Sequence, residues 1–391
     1  MNGTIRDLAL SFIKKSKMLR RLNNLRLQKS FAQYIIAEQE IHAAEINGEE
    51  KKRFVEKYMA KWPSLAMRFQ KGIDTIISKH DGVVLRNDEL ITEILFCCFA
   101  YGFEPDEFFS YNLKNRDSTE RRSFMSDRDT MIMIFKMNDR SDISLFNDKA
   151  ETFDFYKDYY GRNAIAIKKE EDFHVFESFI KGKEYVVKKA VHEAMGRSVE
   201  LIDLKDWKGK EKSLFEKLLQ QGKTLIEERV VQADCMKEYN SSSVNTVRFI
   251  TFTTKDGIIV PYAFFKTGRN QSFVDNGGAG GIFIGIDVTT GVTSTDGYDE
   301  MGIRYIEHPN SHKPFKGFKM PEWERAIEMS KELSAKVPSI KFVGWDFAYT
   351  DEGWIVIEGN GMSQLIGPQS TFQNGIKTEI TSIMSQMNLI S

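Results

Sequence analysis

The sequence predicts an α+β protein with a helical N-terminal region, and three observations lead there. Up to about Phe146, apolar residues recur at spacings of three and four, as in Leu90, Ile91, Ile94, Leu95, Cys98 and Phe99, while strand signals are scarce. After Asn147 short β-rich runs take over, separated by Gly, Asp and Asn turns. Two of those turns, Lys255-Asp256-Gly257 and Asp351-Glu352-Gly353, stand between apolar runs as hairpin turns do, so the sheets are expected to be mostly antiparallel.

The elements follow in order. Residues 1 to 30 carry Arg6, Lys14, Lys15, Lys17, Arg20, Arg21, Arg26 and Lys29 against only Asp7, interleaved with Leu8, Leu10, Phe12, Ile13, Met18, Leu19 and Leu22 at roughly helical spacing. This spacing suits either a helix lying on an anionic membrane surface, which makes residues 1–30 a peripheral membrane contact, or a helix packed on its own domain. Pro63, Gly72, Gly82 and Gly102-Phe103-Glu104-Pro105 divide the rest of the first 146 residues into helices of ordinary length. Strands are expected at Tyr185 to Lys189, Val199 to Asp203, Thr224 to Glu227, Val247 to Thr254, Ile258 to Lys266, Ile282 to Val288, Phe342 to Tyr349 and Trp354 to Glu358. Helices are expected at Glu170 to Ile180, Glu211 to Leu219, Pro321 to Ala335 and Asn374 to Met387.

With 391 residues the chain exceeds one minimal core, and its formal charge of -1 gives no reason to expect a nucleic-acid partner. Cys97, Cys98 and Cys235 form no metal-ligand spacing and read as reduced thiols. No apolar run reaches the roughly 18 to 20 residues of a membrane span, and a cytoplasmic location is expected.

The chemistry concentrates near the C-terminus. In Gly344-Trp345-Asp346-Phe347-Ala348-Tyr349, turn, Trp354-Ile355-Val356-Ile357-Glu358-Gly359-Asn360, a hairpin sets Asp346 across from Glu358 and Asn360, which share a face because strand side chains repeat every two residues. Three converging hard oxygen donors suit Mg2+ shared with phosphate and water. Asp346 and Glu358 also lie within apolar strands, where an unpaired carboxylate is costly to bury. Arg248, flanked by Phe249 and Ile250, needs a fixed anion for the same reason. The glycines of Asp275-Asn276-Gly277-Gly278-Ala279-Gly280-Gly281 allow close backbone approach to a ligand.

Glu358-Gly359-Asn360 with Asp346 resembles the second metal-binding strand of the ATP-grasp superfamily and the Asp on its adjoining strand. That resemblance implies an ATP-grasp fold of two α+β subdomains clamping ATP, over roughly Asn147 to Gln369. With the helical pattern of 1–146 read as a domain of its own, the resemblance implies an ATP-grasp domain at 147–391, divided into a lysine and phosphate-loop part at 147–232 and a metal and acceptor part at 233–391. Asn147-Asp148-Lys149 and Tyr185-Val186-Val187-Lys188 resemble the family's two phosphate lysines. Lys188 is preferred over Lys189 by alternation with Val186, although the Lys188-Lys189 pair stands where many relatives have Lys-Pro. His192 and Gly196-Arg197-Ser198 fall on the mobile phosphate-covering loop, and Leu225 to Val230 resembles the adenine hinge, giving Glu227, Glu228 and Val230 as nucleotide contacts. Asn245, Arg248, Lys266, Arg269, Asp275 and Asn276 fall where such ligases handle substrate, with Arg248, Lys188 and Arg269 as catalytic cations. More narrowly, Ser243 through Asp287, His308-Pro309, Gly317 and Gly344-Trp345-Asp346 resemble the sugar-transfer-associated ATP-grasp group, whose members accompany glycosyltransferases in bacterial surface-polysaccharide clusters. The resemblance implies ATP and Mg2+ as cofactors, and a small-molecule or sugar-conjugate substrate ligated through an acylphosphate. A sugar kinase and a non-catalytic nucleotide-binding scaffold are the rival readings.

Overall fold

Capping and packing explain the first helices. Asn47 accepts from the Glu49 and Glu50 amides to start helix Gly48–Lys61, and Asn87 does the same for Glu89 at the head of Asp88–Tyr101, which ends on Gly102 at φ 81°. These helices and Pro63–Lys79 close around Phe54, Phe69, Phe96 and Phe99. Cys97 and Cys98 lie inside this core, where burial pushes the Cys97 thiol up to about 12. They are inert packing residues. The computed structural model describes residues 16–79, 87–190, 199–275 and 277–389. Residues 1–15, which hold half of the expected basic helix, and the site candidates His192, Ser198 and Asn276 lie outside the described residues.

The N-terminal core runs from Ile36 to Phe124. Helices Asp127–Met137 and Arg140–Asn147, expected to belong to it, instead supply Met133, Ile134, Met137 and Ile143 to the core under the larger sheet. Helix Lys17–Ala32 joins them through Leu27 and Phe31. No described helix is long and apolar enough to cross a membrane.

Two antiparallel sheets follow. The smaller contains β1 (Ala164–Ile167), β2 (Tyr185–Ala190), β3 (Val199–Asp203) and β4 (Thr224–Glu228) in the order β1-β4-β2-β3. Helices Phe173–Ile180 and Glu211–Gln220 cover one of its faces, burying Val186, Ile202 and Ile226 against Phe176, Leu214 and Phe215. The larger contains β5 (Thr246–Thr254), β6 (Gly257–Thr267), β7 (Ile282–Asp287), β8 (Val292–Tyr298), β9 (Arg304–Tyr305), β10 (Phe342–Thr350) and β11 (Gly353–Asn360) in the order β11-β10-β5-β6-β7-β8-β9. Helix Trp323–Ala335 packs beneath it, with Trp323, Phe249, Trp345 and Phe347 in one core. Both expected hairpins form, and Gly257 and Gly353 take φ of 127° and 106° at the turn ends.

Candidate active site

The uncovered face of the smaller sheet and one face of the larger sheet enclose a cleft of about 320 Å³. Val187, Lys189, Val199 and Glu227 line it from one side, and Thr246, Lys266, Asp346, Ile357 and Glu358 from the other. The linker between the sheets closes one end through Glu228 to Gln232. A cleft of this size, apolar with a few convergent charges, is an ordinary small-molecule site.

Register builds the acidic wall. Arg248 on β5 pairs with Asp346 on β10, which pairs with Glu358 on β11, so the three side chains stand in one row on one face. A bulge follows directly, between Asp346 and Phe347. Arg248 grips Asp346 with two parallel hydrogen bonds, Nε to Oδ1 at 2.6 Å and Nη2 to Oδ2 at 2.5 Å. Lys266 Nζ lies 3.1 Å from the same Oδ2. Burial alone would raise the Asp346 carboxyl, but Arg248 and Lys266 outweigh it and hold the group down to about 2. Asp275 responds in the opposite sense. Burial pushes its carboxyl up, only partly offset by Lys266 at 4.0 Å. Gly344 permits this row, because a Cβ there would stand 2.2 Å from Ser363 Oγ and 3.1 Å from Arg248 Cδ.

The donor set fits a divalent cation shared with a polyanion. Arg248 and Lys266 occupy three of the roughly four acceptor positions of the Asp346 carboxylate, leaving about one. Glu358, which accepts from Asn360 Nδ2 at 2.9 Å, supplies further oxygens beside it. Among the described residues no three or more His, Cys, Asp or Glu group to hold a metal by themselves. A cation here therefore needs oxygens from a ligand and from water, the arrangement Mg2+ prefers.

The opposite wall is cationic and corrects one expectation. Alternation does put Lys188 on the face of Val186, but that is the face covered by helices, and Lys188 pairs with Glu200 at 3.1 Å. Lys189 shares the uncovered face with Val187 and reaches into the cleft, its Nζ 2.8 Å from Glu227 Oε2. Glu227 is almost fully buried and also accepts from Arg162 Nε at 3.0 Å and Nη2 at 2.9 Å. Burial opposes its charge, yet Arg162 and Lys189 together keep its pKa below the ordinary value. Arg162 also donates to the Val356 carbonyl on β11 at 2.7 Å, tying the two sheets together behind the cleft. Glu228 is held by Lys183 at 2.9 Å and by the Asn163 amide at 2.9 Å. Lys149 opens helix Lys149–Tyr156 and lines the cleft, with Nζ 3.2 Å from the Ala190 carbonyl. Asp148 serves as the cap of that helix and pairs with Lys223.

Two expected substrate or catalytic residues stand elsewhere. Asn245 is completely buried, giving its amide hydrogens to Gln232 Oε1, the Met236 carbonyl and the Asn240 carbonyl while accepting from Thr267. Its hydrogen-bonding capacity is filled by the protein, so it shapes the 232–245 loop and does not meet a ligand. Arg269 pairs with Asp299 at 3.0 Å and with Tyr305, and is not among the residues lining the cleft. The glycines after Asn276 are likewise absent from the lining, to which this loop contributes Phe273, Val274 and Asp275. His308 is fully buried: Nδ1 accepts from the amides of Asn310 and Ser311, so Nε2 carries the proton and donates to the Gly268 carbonyl at 2.8 Å. It braces a loop.

A family model described as sugar-transfer associated ATP-grasp matches residues 128–385. No curated protein matches the chain. Among solved structures, the ATP-grasp ligase PsnB complexed with a minimal precursor aligns at 12% identity, covering 66% of this chain and 69% of that one, with a TM-score of 0.40. The D-alanine–D-alanine ligase from Bacillus anthracis complexed with ATP aligns at 15% identity over 63% and 66%, with a TM-score of 0.38. An ADP complex of the N5-carboxyaminoimidazole ribonucleotide synthetase PurK aligns at 10% identity and 0.37, and there the chain spans about half, 47%, of the other's length. Likeness at that level decides nothing about this site. The match over residues 128–385 covers well over half of the sequence, and on it the chain belongs to the sugar-transfer associated ATP-grasp family.

Proposed function

We propose that the protein is an ATP- and Mg2+-dependent ligase that activates a carboxylate as an acylphosphate and joins it to an amine or similar nucleophile, in the making of a bacterial surface polysaccharide or sugar conjugate. The carrying observation is the opposition across one cleft of the cations Lys149 and Lys189 to the row Asp346–Glu358. The sugar-conjugate setting rests on the family's description.

When bound, the magnesium nucleotide supplies the γ-phosphoryl group that activates the acceptor carboxylate. The residues provide position and charge. The backbone of Glu228 to Val230 borders the cleft where an adenine edge would pair, with Val187, Val199 and Ile357 as apolar walls. Lys149 and Lys189 neutralise phosphate, and Glu358, Asn360 and the remaining acceptor position of Asp346 hold the cation. Lys266, the one of Asp346's two cations that lines the cleft, meets the acceptor carboxylate. Arg248 acts through Asp346 by fixing its orientation. Asp275, whose pKa is raised, takes the proton released as the nucleophile attacks.

Asp275 also favours a second reading. A kinase for a sugar hydroxyl needs such a base beside the phosphoryl acceptor, whereas a carboxylate acceptor does not. Products separate the two. The ligase releases ADP and inorganic phosphate with a condensed product, while the kinase leaves the phosphate on the acceptor.

A further inference from the structure

Helix Lys17–Ala32 has two faces of opposite character. One is pinned to the molecule. Asn24 Nδ2 donates to the Asn138 carbonyl at 2.8 Å, Gln28 Nε2 to the Phe135 carbonyl at 2.9 Å, Arg20 pairs with Asp139 at 3.4 Å, and Leu27 and Phe31 enter the core. At 3.6 residues per turn, Met18, Leu22, Leu25 and Lys29 form one stripe on the opposite side. Met18, Leu22 and Leu25 are 73%, 50% and 42% exposed. Leu19, Arg21 and Arg26 flank the stripe and are exposed as well. Single exposed leucines need no explanation, but a continuous stripe held outward by the contacts behind it does.

We propose that this face seats the protein on an anionic lipid surface. Charge selects that occupant. The helix contains no Asp or Glu. Residues 1–30 carry eight cations and one acid, a net +7, so in a chain of net -1 the other 361 residues stand at -8. An anionic surface attracts this end and repels the rest, which orients the molecule. The apolar stripe enters the acyl boundary while the flanking Arg and Lys side chains reach headgroup phosphates. A second copy of the chain fits poorly, because a two-fold contact would set Arg21, Arg26 and Lys29 against their own counterparts with no acid on the helix to meet them.

Co-sedimentation of the full chain with phosphatidylcholine vesicles, with and without phosphatidylserine, tests this. The intact protein should bind the anionic vesicles, and high salt should weaken the binding. Arg21→Gln/Arg26→Gln should weaken it roughly thirtyfold, at about 1 kcal/mol per cation. Leu22→Glu/Leu25→Glu should weaken it at least about a hundredfold. Both pairs are exposed, and unchanged melting temperatures will show that the variants fold. The proposal is overturned if the intact protein ignores anionic vesicles, if folded variants bind as it does, or if the leucine pair instead abolishes self-association in a protein that binds no vesicle.

Discussion

Replacing Lys189 by Met removes the cleft's cation nearest Glu227, and replacing Lys188 by Met removes its neighbour in sequence, so the pair isolates position from composition. Lys189 Nζ lies 2.8 Å from a nearly buried carboxylate and lines the cleft. A charge-assisted hydrogen bond from it to a nucleotide phosphate is worth about 1.5–3 kcal/mol, so Lys189→Met should weaken Mg-ATP binding by roughly 10- to 100-fold. Lys188 faces away and pairs with Glu200, whose side chain is 53% exposed. Surface pairs contribute about 0–1 kcal/mol, so Lys188→Met should change nucleotide affinity by less than about threefold. Glu227 keeps Arg162 in either variant, so both should fold. Isothermal titration with Mg-bound non-hydrolysable ATP analogue reads the difference. Equal losses in the two variants, or a Lys188 effect larger than the Lys189 effect, would refute the assignment of faces.

Other consequences can be measured together. Arg162→Met strands Glu227 with Lys189 and removes the donor to the Val356 carbonyl, so unfolding free energy should drop by about 3 kcal/mol in urea titration, and an unchanged midpoint would sink that account. Asn245→Leu removes one donor from each of the Gln232, Met236 and Asn240 oxygens, which keep the residue 245 amide, the Tyr239 amide and Gln232 Nε2 respectively, so the loss is about 0.5–1.5 kcal/mol per bond and the melting temperature should fall while the KM for ATP of the folded protein stays put. A selective KM change would restore Asn245 as a ligand contact. Asp346 has a folded pKa depressed to about 2 from 3.8, so its contribution is present above about pH 4 and disappears as pH falls toward 2. That loss amounts to about 2 kcal/mol. Acid titration of stability should therefore be shallower in Asp346→Asn than in the native chain, and parallel curves would contradict the pairing with Arg248 and Lys266.

The legible parts of this molecule were those governed by short periods. The β10–β11 hairpin follows from two apolar runs around Asp351-Glu352-Gly353, and period two alone puts Asp346, Glu358 and Asn360 on one face. Period two does not say which face is covered. Lys188 and Lys189 were distinguished by alternation, but the choice depended on helices Phe173–Ile180 and Glu211–Gln220 packing over Val186, a tertiary fact. Arg162 gave no signal because it precedes a four-residue strand, Ala164–Ile167, too short to show a pattern. Strand β8 was hidden by its polar sequence Thr-Ser-Thr-Asp. Asn245 was expected as a ligand contact because its segment resembles the substrate-handling part of ATP-grasp ligases, and only the closure of residues 232–245 on themselves, with Thr267 beside them, fills its hydrogen bonds. The Asp127–Met137 helix carries the same apolar spacing as those before it, so nothing local reveals that it packs under the larger sheet.

The central claim is that the cleft between the sheets turns over Mg-ATP with Glu358 and Asp346 as the cation's wall. Its most direct measurement follows ADP and inorganic phosphate together in the native protein and in Glu358→Gln, supplied with Mg2+, ATP and a pool of sugar-linked carboxylates and amines. The account predicts stoichiometric ADP and phosphate from the native chain and a loss of at least about a hundredfold in the variant, from removing one anionic metal ligand at the reacting centre. Undiminished turnover in a folded Glu358→Gln protein would contradict it.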